Sequence, residues 1–347
     1  MVKRIMLWMS LLAGVYACNS GRQKPDVSAF SASVTTQRFD QSFFALDTNQ
    51  LVPGLNQLQQ QYPGFLQNYL SSMLGINPGD PQALAAITAF LRSYQPVYEV
   101  AKGVANQHLP QLEKDMVEML RYLQHYVPGY KPDSPFVITT FISPMDAYEP
   151  FAIGDYGDVR TQNGVGIALQ LHLGEQAQVY DEGKRAGVFF DYQTRRFTPA
   201  TMLVNATKNL IEDAFPYKPE SLTLLEDMVE KGKRMALLQR LLPDVADSLQ
   251  LGYTGKQVKG CEANEALIWN FFMKNDLLYS KDPLINQGYL KDGPKTQELG
   301  EGAPGYIALF VGRQIVNAYL AKFPDTKFPD LMKMPARQLF EQAGYKP

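Results

Sequence analysis

The chain has 347 residues, 45% of them hydrophobic, enough to bury a sizeable core in one large or two modest domains. A formal net charge of -2 supplies no electrostatic footprint for nucleic acid, and no repeat or low-complexity tract is present. Beyond the first segment, no apolar run reaches the ~18 residues that a membrane span needs.

Lys3 and Arg4 precede the apolar run Ile5 to Tyr16, which has the length of a signal-peptide core and is too short to cross a bilayer. Residues 1–17 read as an export signal. The run ends Val15-Tyr16-Ala17-Cys18, which resembles a bacterial lipobox: the small residue admits the processing peptidase, and the cysteine thiol receives the diacylglyceryl group. Cys18 is therefore the expected lipid attachment point, each buried CH₂ of its acyl chains contributing about 0.8 kcal/mol of membrane affinity. A lipidated Cys18 leaves Cys261 without a partner, so no internal disulfide is expected. Residues 18–36 are polar and rich in serine, and read as a flexible tether on a periplasm-facing protein, with the outer membrane favoured over the inner.

From 37 to 133 the pattern is helical. Pro53-Gly54 and Pro63-Gly64 break the first stretch into short helices. Asp80-Pro81 caps another, with Leu84, Ile87, Phe90 and Leu91 as its buried stripe, and Pro110 opens a third through Leu112, Met116, Met119, Leu120 and Leu123. His108 and His125 read as surface or capping residues.

Residues 134–347 read as an α+β part packed with the preceding segment as one unit. Phe136 to Ile142 is β-branched and aromatic, Ala147 to Ile153 is a second strand candidate, and Gly164 to Leu173 alternates with period two as a half-buried strand carrying His172 on its polar face. Thr198 then caps a helix running to Phe215. On its polar flank Asn205 and Asn209 stand four apart, the spacing at which the two histidines of H-E-x-x-H grip zinc, but the pentapeptide is Asn205-Ala206-Thr207-Lys208-Asn209. An amide is a poor zinc ligand and Ala206 cannot act as a base, so these five residues read as a solvated flank. The next helix, Leu222 to Leu242, offers Glu226 and Glu230 where a zinc peptidase would donate its third ligand. There Lys231-Gly232-Lys233-Arg234 would repel a metal and reads as a solvated face.

Thr254-Gly255 reads as a turn and cap before a helix through Glu265, Trp269 and Phe272. Gly305, Ala308 and Gly312 form a small-residue stripe that lets another helix approach closely. Glu262, Glu265, Glu301 and Arg313 are candidates for a buried polar cluster. The expected fold is a predominantly helical α+β with a small sheet of about three strands.

Four segments carry a family resemblance: RFDQSFF (Arg38 to Phe44), YPGF (Tyr62 to Phe65), LGYTGKQVKGCEANEALIWNFFMKNDLLYSKDP (Leu251 to Pro283) and PGYIALFVGRQIVNAYL (Pro304 to Leu320). Together they resemble the GldB-type gliding motility lipoproteins of Bacteroidetes, through most of the mature chain and in order. That family in turn resembles predicted zinc proteases, which implies a degenerate zincin-like metallopeptidase scaffold. The resemblance implies a membrane lipoprotein of the gliding machinery and its linked secretion apparatus, with envelope proteins as partners, no cofactor and no known reaction. Two alternatives remain open at this stage. One is a peptidase with an atypical site drawn from His172, Glu212, Asp213 or Glu230; the other is a glycan-binding lipoprotein using tyrosines such as Tyr94 and Tyr98.

Overall fold

The computed structural model describes residues 24–145, 149–151, 154–218 and 221–347. Cys18 and the signal segment lie outside the described residues.

The first described element is β1 (Val34–Gln37), inside the stretch read as tether. The segment leading to it lies along the body: Lys24 pairs with Asp244, and the Ser31 carbonyl accepts from Gln124 at 2.9 Å. Residues 24–36 are therefore not a free tether, because Val27, Ala32 and Val34 pack on the core.

Short helices α1 (Phe39–Phe44), α2 (Leu51–Gln61) and α3 (Phe65–Asn68) follow, then α4 (Ala83–Tyr126). The α4 helix corrects the reading of two helices split at Pro110: it runs 44 residues, about 66 Å, through both Pro96 and Pro110. Each proline removes one backbone donor, yet the buried row Tyr98, Ala101, Ala105, Leu109, Leu112, Met116 continues across Pro110 without a break in period. Leu84, expected in the stripe, is exposed.

The main sheet has four strands in the order β1, β2 (Phe136–Phe141), β6 (Gly164–Ala168), β5 (Val159–Thr161). The first three are parallel, Val34 opposite Phe136 and Ile138 opposite Val165, while β5 runs antiparallel along one edge. The second strand candidate does not join this sheet. Within it, β3 (Glu149–Phe151) pairs with β4 (Gly154–Tyr156) as a separate hairpin. Strand β6 also stops at Ala168, where a 3₁₀ turn replaces the expected run to Leu173. Both its faces are buried, as helices cover a parallel sheet on both sides.

Helices α5 (Val179–Arg185), α6 (Asp191–Thr194), α7 (Met202–Ala214) and α8 (Leu224–Leu241) come next, then α9 (Asp247–Leu251), α10 (Gly255–Ala263), α11 (Glu265–Lys274), α12 (Pro283–Leu290), α13 (Ile307–Lys322), α14 (Phe328–Lys333) and α15 (Ala336–Ala343). Thr198 leads into α7 through a 3₁₀ turn with Pro199 at its first position, but its side chain makes no capping hydrogen bond. Thr223 caps α8 and Thr254 caps α10, each in a reciprocal capping box.

Helix α8 is the centre of the molecule, packed against α4, α7, α13 and α15. Its crossing with α13 is glycine on glycine. A Cβ at Gly312 would lie 1.8 Å from the Met228 carbonyl oxygen, and one at Gly232 would lie 2.2 Å from the Gly312 oxygen. Of the expected small-residue stripe, Gly312 meets the glycine inside the cationic turn, whereas Gly305 precedes α13 and lies against the Gly293 backbone.

The family-like segments are structural. Arg38 donates to both oxygens of buried Asp40 at 2.9 and 2.8 Å, and Thr140 donates to the same carboxylate. Phe39, Phe43, Tyr62, Phe65 and Tyr69 form an aromatic cluster, with Tyr69 donating to the Ile142 carbonyl at 2.5 Å. The two C-terminal segments meet where Tyr253 donates to the Tyr306 carbonyl at 3.0 Å. One large core spans Tyr98 to Tyr345 and includes β2 and β6; a smaller one lies under α1 to α3.

Candidate functional site

Asn205, Ala206 and Asn209 lie on α7 and Glu230 on α8, and α7 packs against α8 and edge strand β5. The pentapeptide on α7 is not a solvated flank: Ala206, Thr207, Lys208 and Asn209 are all buried. The helix is covered by β5 and β6 on one side and by α4 and α8 elsewhere. The side-chain amide of Asn209 donates to the Asp158 carbonyl at 3.2 Å and to the Asn205 carbonyl at 3.1 Å.

The cationic turn of α8 is also buried, contrary to its reading as a solvated face, because helices surround α8. Each cation is matched. Lys233 is fully buried, and its Nζ donates to Glu230 Oε1 and to the Met334 carbonyl, both at 2.6 Å. Arg234 donates to the Glu230 carbonyl at 2.9 Å and to the Phe215 carbonyl at 2.8 Å. Lys231 stands 4.5 Å over the Tyr217 ring and 3.7 Å from Asp227. Burial lowers the pKa of Lys231 and Lys233, the nearby carboxylates opposing it.

Glu230 is consequently held by Lys233 and Arg234, the latter at 3.4 Å. Asn205, Ala206, Asn209 and Glu230 thus do not fit a zinc ion: the amide nitrogen of Asn209 is engaged with backbone carbonyls, and the carboxylate of Glu230 faces two cations. Among the described residues, no group of three or more His, Cys, Asp or Glu side chains is placed to hold a metal.

His172 is fully buried, not on a polar strand face, because the 3₁₀ turn rotates it inward. Its Nε2 lies 2.8 Å from Asp158 Oδ2, and its Nδ1 lies 3.1 Å from Thr201 Oγ1 and 3.2 Å from the Thr198 carbonyl. The row Asp158–His172–Thr201 has the residue types of a nucleophile relay. The Thr201 hydroxyl, however, is within donating distance of the Arg196 and Thr198 carbonyls, at 2.8 and 2.7 Å, so backbone oxygens compete with the imidazole for its single proton. The row ties β5, the 3₁₀ turn and the start of α7 together.

The expected cluster of Glu262, Glu265, Glu301 and Arg313 does not form. Glu262 and Glu301 are exposed, the latter paired with Lys295. Glu265 accepts from Gln314 at 2.8 Å and Tyr345 at 2.7 Å. Arg313 alone is buried, 2.8 Å from Asp247. His108 is half-buried, and exposed His125 packs edge-on against Tyr126.

The surface feature that the sequence pattern left unmarked is formed mostly by the segment joining β6 to α7. A groove of about 590 Å³ is lined by Glu175, Phe190, Asp191, Tyr192, Arg195 and Pro294. It shares Glu175 and Arg195 with a compartment of about 220 Å³ that reaches Arg196, Thr201 and Thr254. Below it, Tyr180, Phe189 and Phe197 pack edge to face, and the Tyr180 hydroxyl donates to the Gln170 carbonyl at 2.8 Å. The Gln193 side chain accepts from the Phe190 amide at 2.9 Å and fixes the start of α6. Phe190 and Tyr192 then project as parallel rings with centroids 5.9 Å apart. The alternation of aromatics and arginines in FFDYQTRRF was the available signal.

These features define a mainly helical α+β protein in which Asn209, Glu230 and His172 are engaged internally and a groove is lined by aromatic and arginine side chains. The family described as gliding motility protein GldB matches residues 20–347, and the chain belongs to that family. No curated protein and no solved structure matched the chain.

Proposed function

We propose that this chain is a non-catalytic, lipid-anchored envelope protein that serves the gliding motility machinery and its linked secretion apparatus by binding partner proteins. The scaffold is read as a degenerate relative of the zinc metallopeptidases, with an antiparallel edge strand beside helix α7 and a second helix, α8, behind it. The observation that carries the non-catalytic part is the internal commitment of Asn209, Glu230 and His172 to neighbours in the same chain. A Lewis acid or an activated water needs ligands that these bonds would have to release. Membership of the gliding motility family supports the machinery, and the lipobox-like Val15 to Cys18 supports the anchor.

The test is affinity purification of the anchored protein from a detergent extract of envelopes, with Cys18→Ala as control. The expected result is recovery of gliding or secretion components with the wild-type chain, and loss of the Cys18→Ala chain from the membrane fraction. Stoichiometric zinc in the purified protein, with peptidase activity abolished by a chelator, would overturn the reading.

A further inference from the structure

The groove formed by the segment joining β6 to α7 carries an arginine without a directly bonded carboxylate. Arg195 lies where its two compartments meet. Its Nη2 donates to the Gly252 carbonyl at 3.1 Å, while its Nε is sealed from solvent with no hydrogen-bond partner among the described residues. Among the described residues no carboxylate lies within 4.0 Å of it, whereas neighbouring Arg196 is paired with Asp292. Burial, and next the charge of Arg196, lower the pKa of Arg195, with the more distant carboxylates of Asp292 and Glu175 opposing them in part. A guanidinium in that setting is destabilised by desolvation that an incoming anion would offset.

Beside it the wall is apolar. Phe190 is 56% exposed, stacks on Tyr192, and faces the same space as Pro294. Aromatic rings next to a half-buried arginine are the composition of an anchoring pocket for a peptide. The rim charges narrow the occupant further. Glu175 lines both compartments, and Asp191 borders the larger and pairs with half-buried Lys184 at 3.0 Å. Two carboxylates there repel a polyanion and leave room for one negative charge, placed on Arg195. The compartment beyond Arg195, about 220 Å³, is below the usual range for a ligand pocket, so it suits a chain that ends there better than one that continues.

We propose that this groove captures the free C-terminus of a partner protein, with its terminal carboxylate on Arg195 and its last side chain, aromatic or large aliphatic, against Phe190 and Tyr192. This rests on the partner-binding reading above and names the part of the partner that is read.

The test is calorimetric titration of the purified mature protein with acetylated Gly-Gly-X peptides, X being Phe, Tyr, Leu or Ile, each as free acid and as C-terminal amide. With peptide up to ~1 mM, at least one acid binds, and its amide binds about tenfold more weakly or worse. Arg195→Met removes the preference for the acid. Phe190→Ala, at an exposed side chain, weakens acid binding and leaves the thermal midpoint unchanged. Absence of binding by every acid, equal binding of acid and amide, or an intact acid preference in Arg195→Met overturns the assignment. If the Arg195→Met and Phe190→Ala chains still recover gliding or secretion components from envelopes, the groove assignment alone fails. If the wild-type chain recovers none, the partner reading fails whatever the peptides do.

Discussion

The glycine crossing of α8 and α13 gives the sharpest test of the packing argument. In Gly312→Ala the new Cβ would stand 1.8 Å from the Met228 carbonyl oxygen, so reaching the 3.4 Å of ordinary contact requires the two backbones to part by about 1.6 Å locally. No flexible side chain can yield, because the obstacle is main chain. Met228, Val229, Met235, Ile315 and Val316 surround the crossing fully buried, and separation of the helices loosens all of them. Overpacking of this kind costs about 3 kcal/mol, at the upper end of its usual range. At roughly 2 °C per kcal/mol for a chain of this size, the thermal midpoint falls by about 6 °C. Urea unfolding followed by far-ultraviolet circular dichroism reads the change as a lower midpoint at unchanged slope. Gly103→Ala is the control: Gly103 is an exposed glycine in α4 with no neighbouring atom within 4 Å of the point where a methyl group would stand, and there alanine stabilises by about 0.5–1 kcal/mol. A Gly312→Ala chain within about 0.5 kcal/mol of wild type would refute the claim that this crossing requires glycine.

Three further outcomes follow from the same structure. Lys233→Met strands Glu230 and the Met334 carbonyl and lowers stability by about 3 kcal/mol in the same urea assay; a loss below about 1 kcal/mol would contradict the buried pairing. Burial, and then Glu262, push the Cys261 thiol up to about 12 from its ordinary 9.0. Between those values the unfolded chain releases the thiol proton while the folded chain retains it, so stability falls as pH rises, by up to about 1.4 kcal/mol per pH unit from this group. Cys261→Ala shows a shallower alkaline loss, and equal slopes would remove the argument. The combined change Asn205→His, Ala206→Glu and Asn209→His leaves the protein without stoichiometric zinc by elemental analysis after dialysis. One tightly held zinc per chain would show that Lys233 and Arg234 release Glu230 more readily than their geometry indicates.

Much of the fold was legible because local chemistry and burial point the same way. Thr198-Pro199 starts α7, Thr223 and Thr254 cap their helices, Phe136 to Phe141 is a strand, and Gly312 meets a close helix. The continuity of α4 was also written in the chain. The row from Tyr98 to Met116 keeps its period across Pro110, but a proline reads locally as a start signal, and only the long-range match of both halves to one core shows otherwise. The groove was less legible: FFDYQTRRF shows aromatics and arginines, while the pairing that engages Arg196 and not Arg195 depends on Asp292, about a hundred positions away.

The sequence by itself determined strand β2, helix α7 and the caps of α8 and α10, the expectation of an N-terminal lipid anchor, and the lack of paired histidines at α7. Only the tertiary structure decided that Lys231, Lys233 and Arg234 lie inside, that His172 is a buried strut and that Glu230 faces cations. The reason is that a charged side chain reads as solvent-facing until its partners are known. Here those partners are supplied by Tyr217, Met334 and Phe215, and only folding brings them to α8.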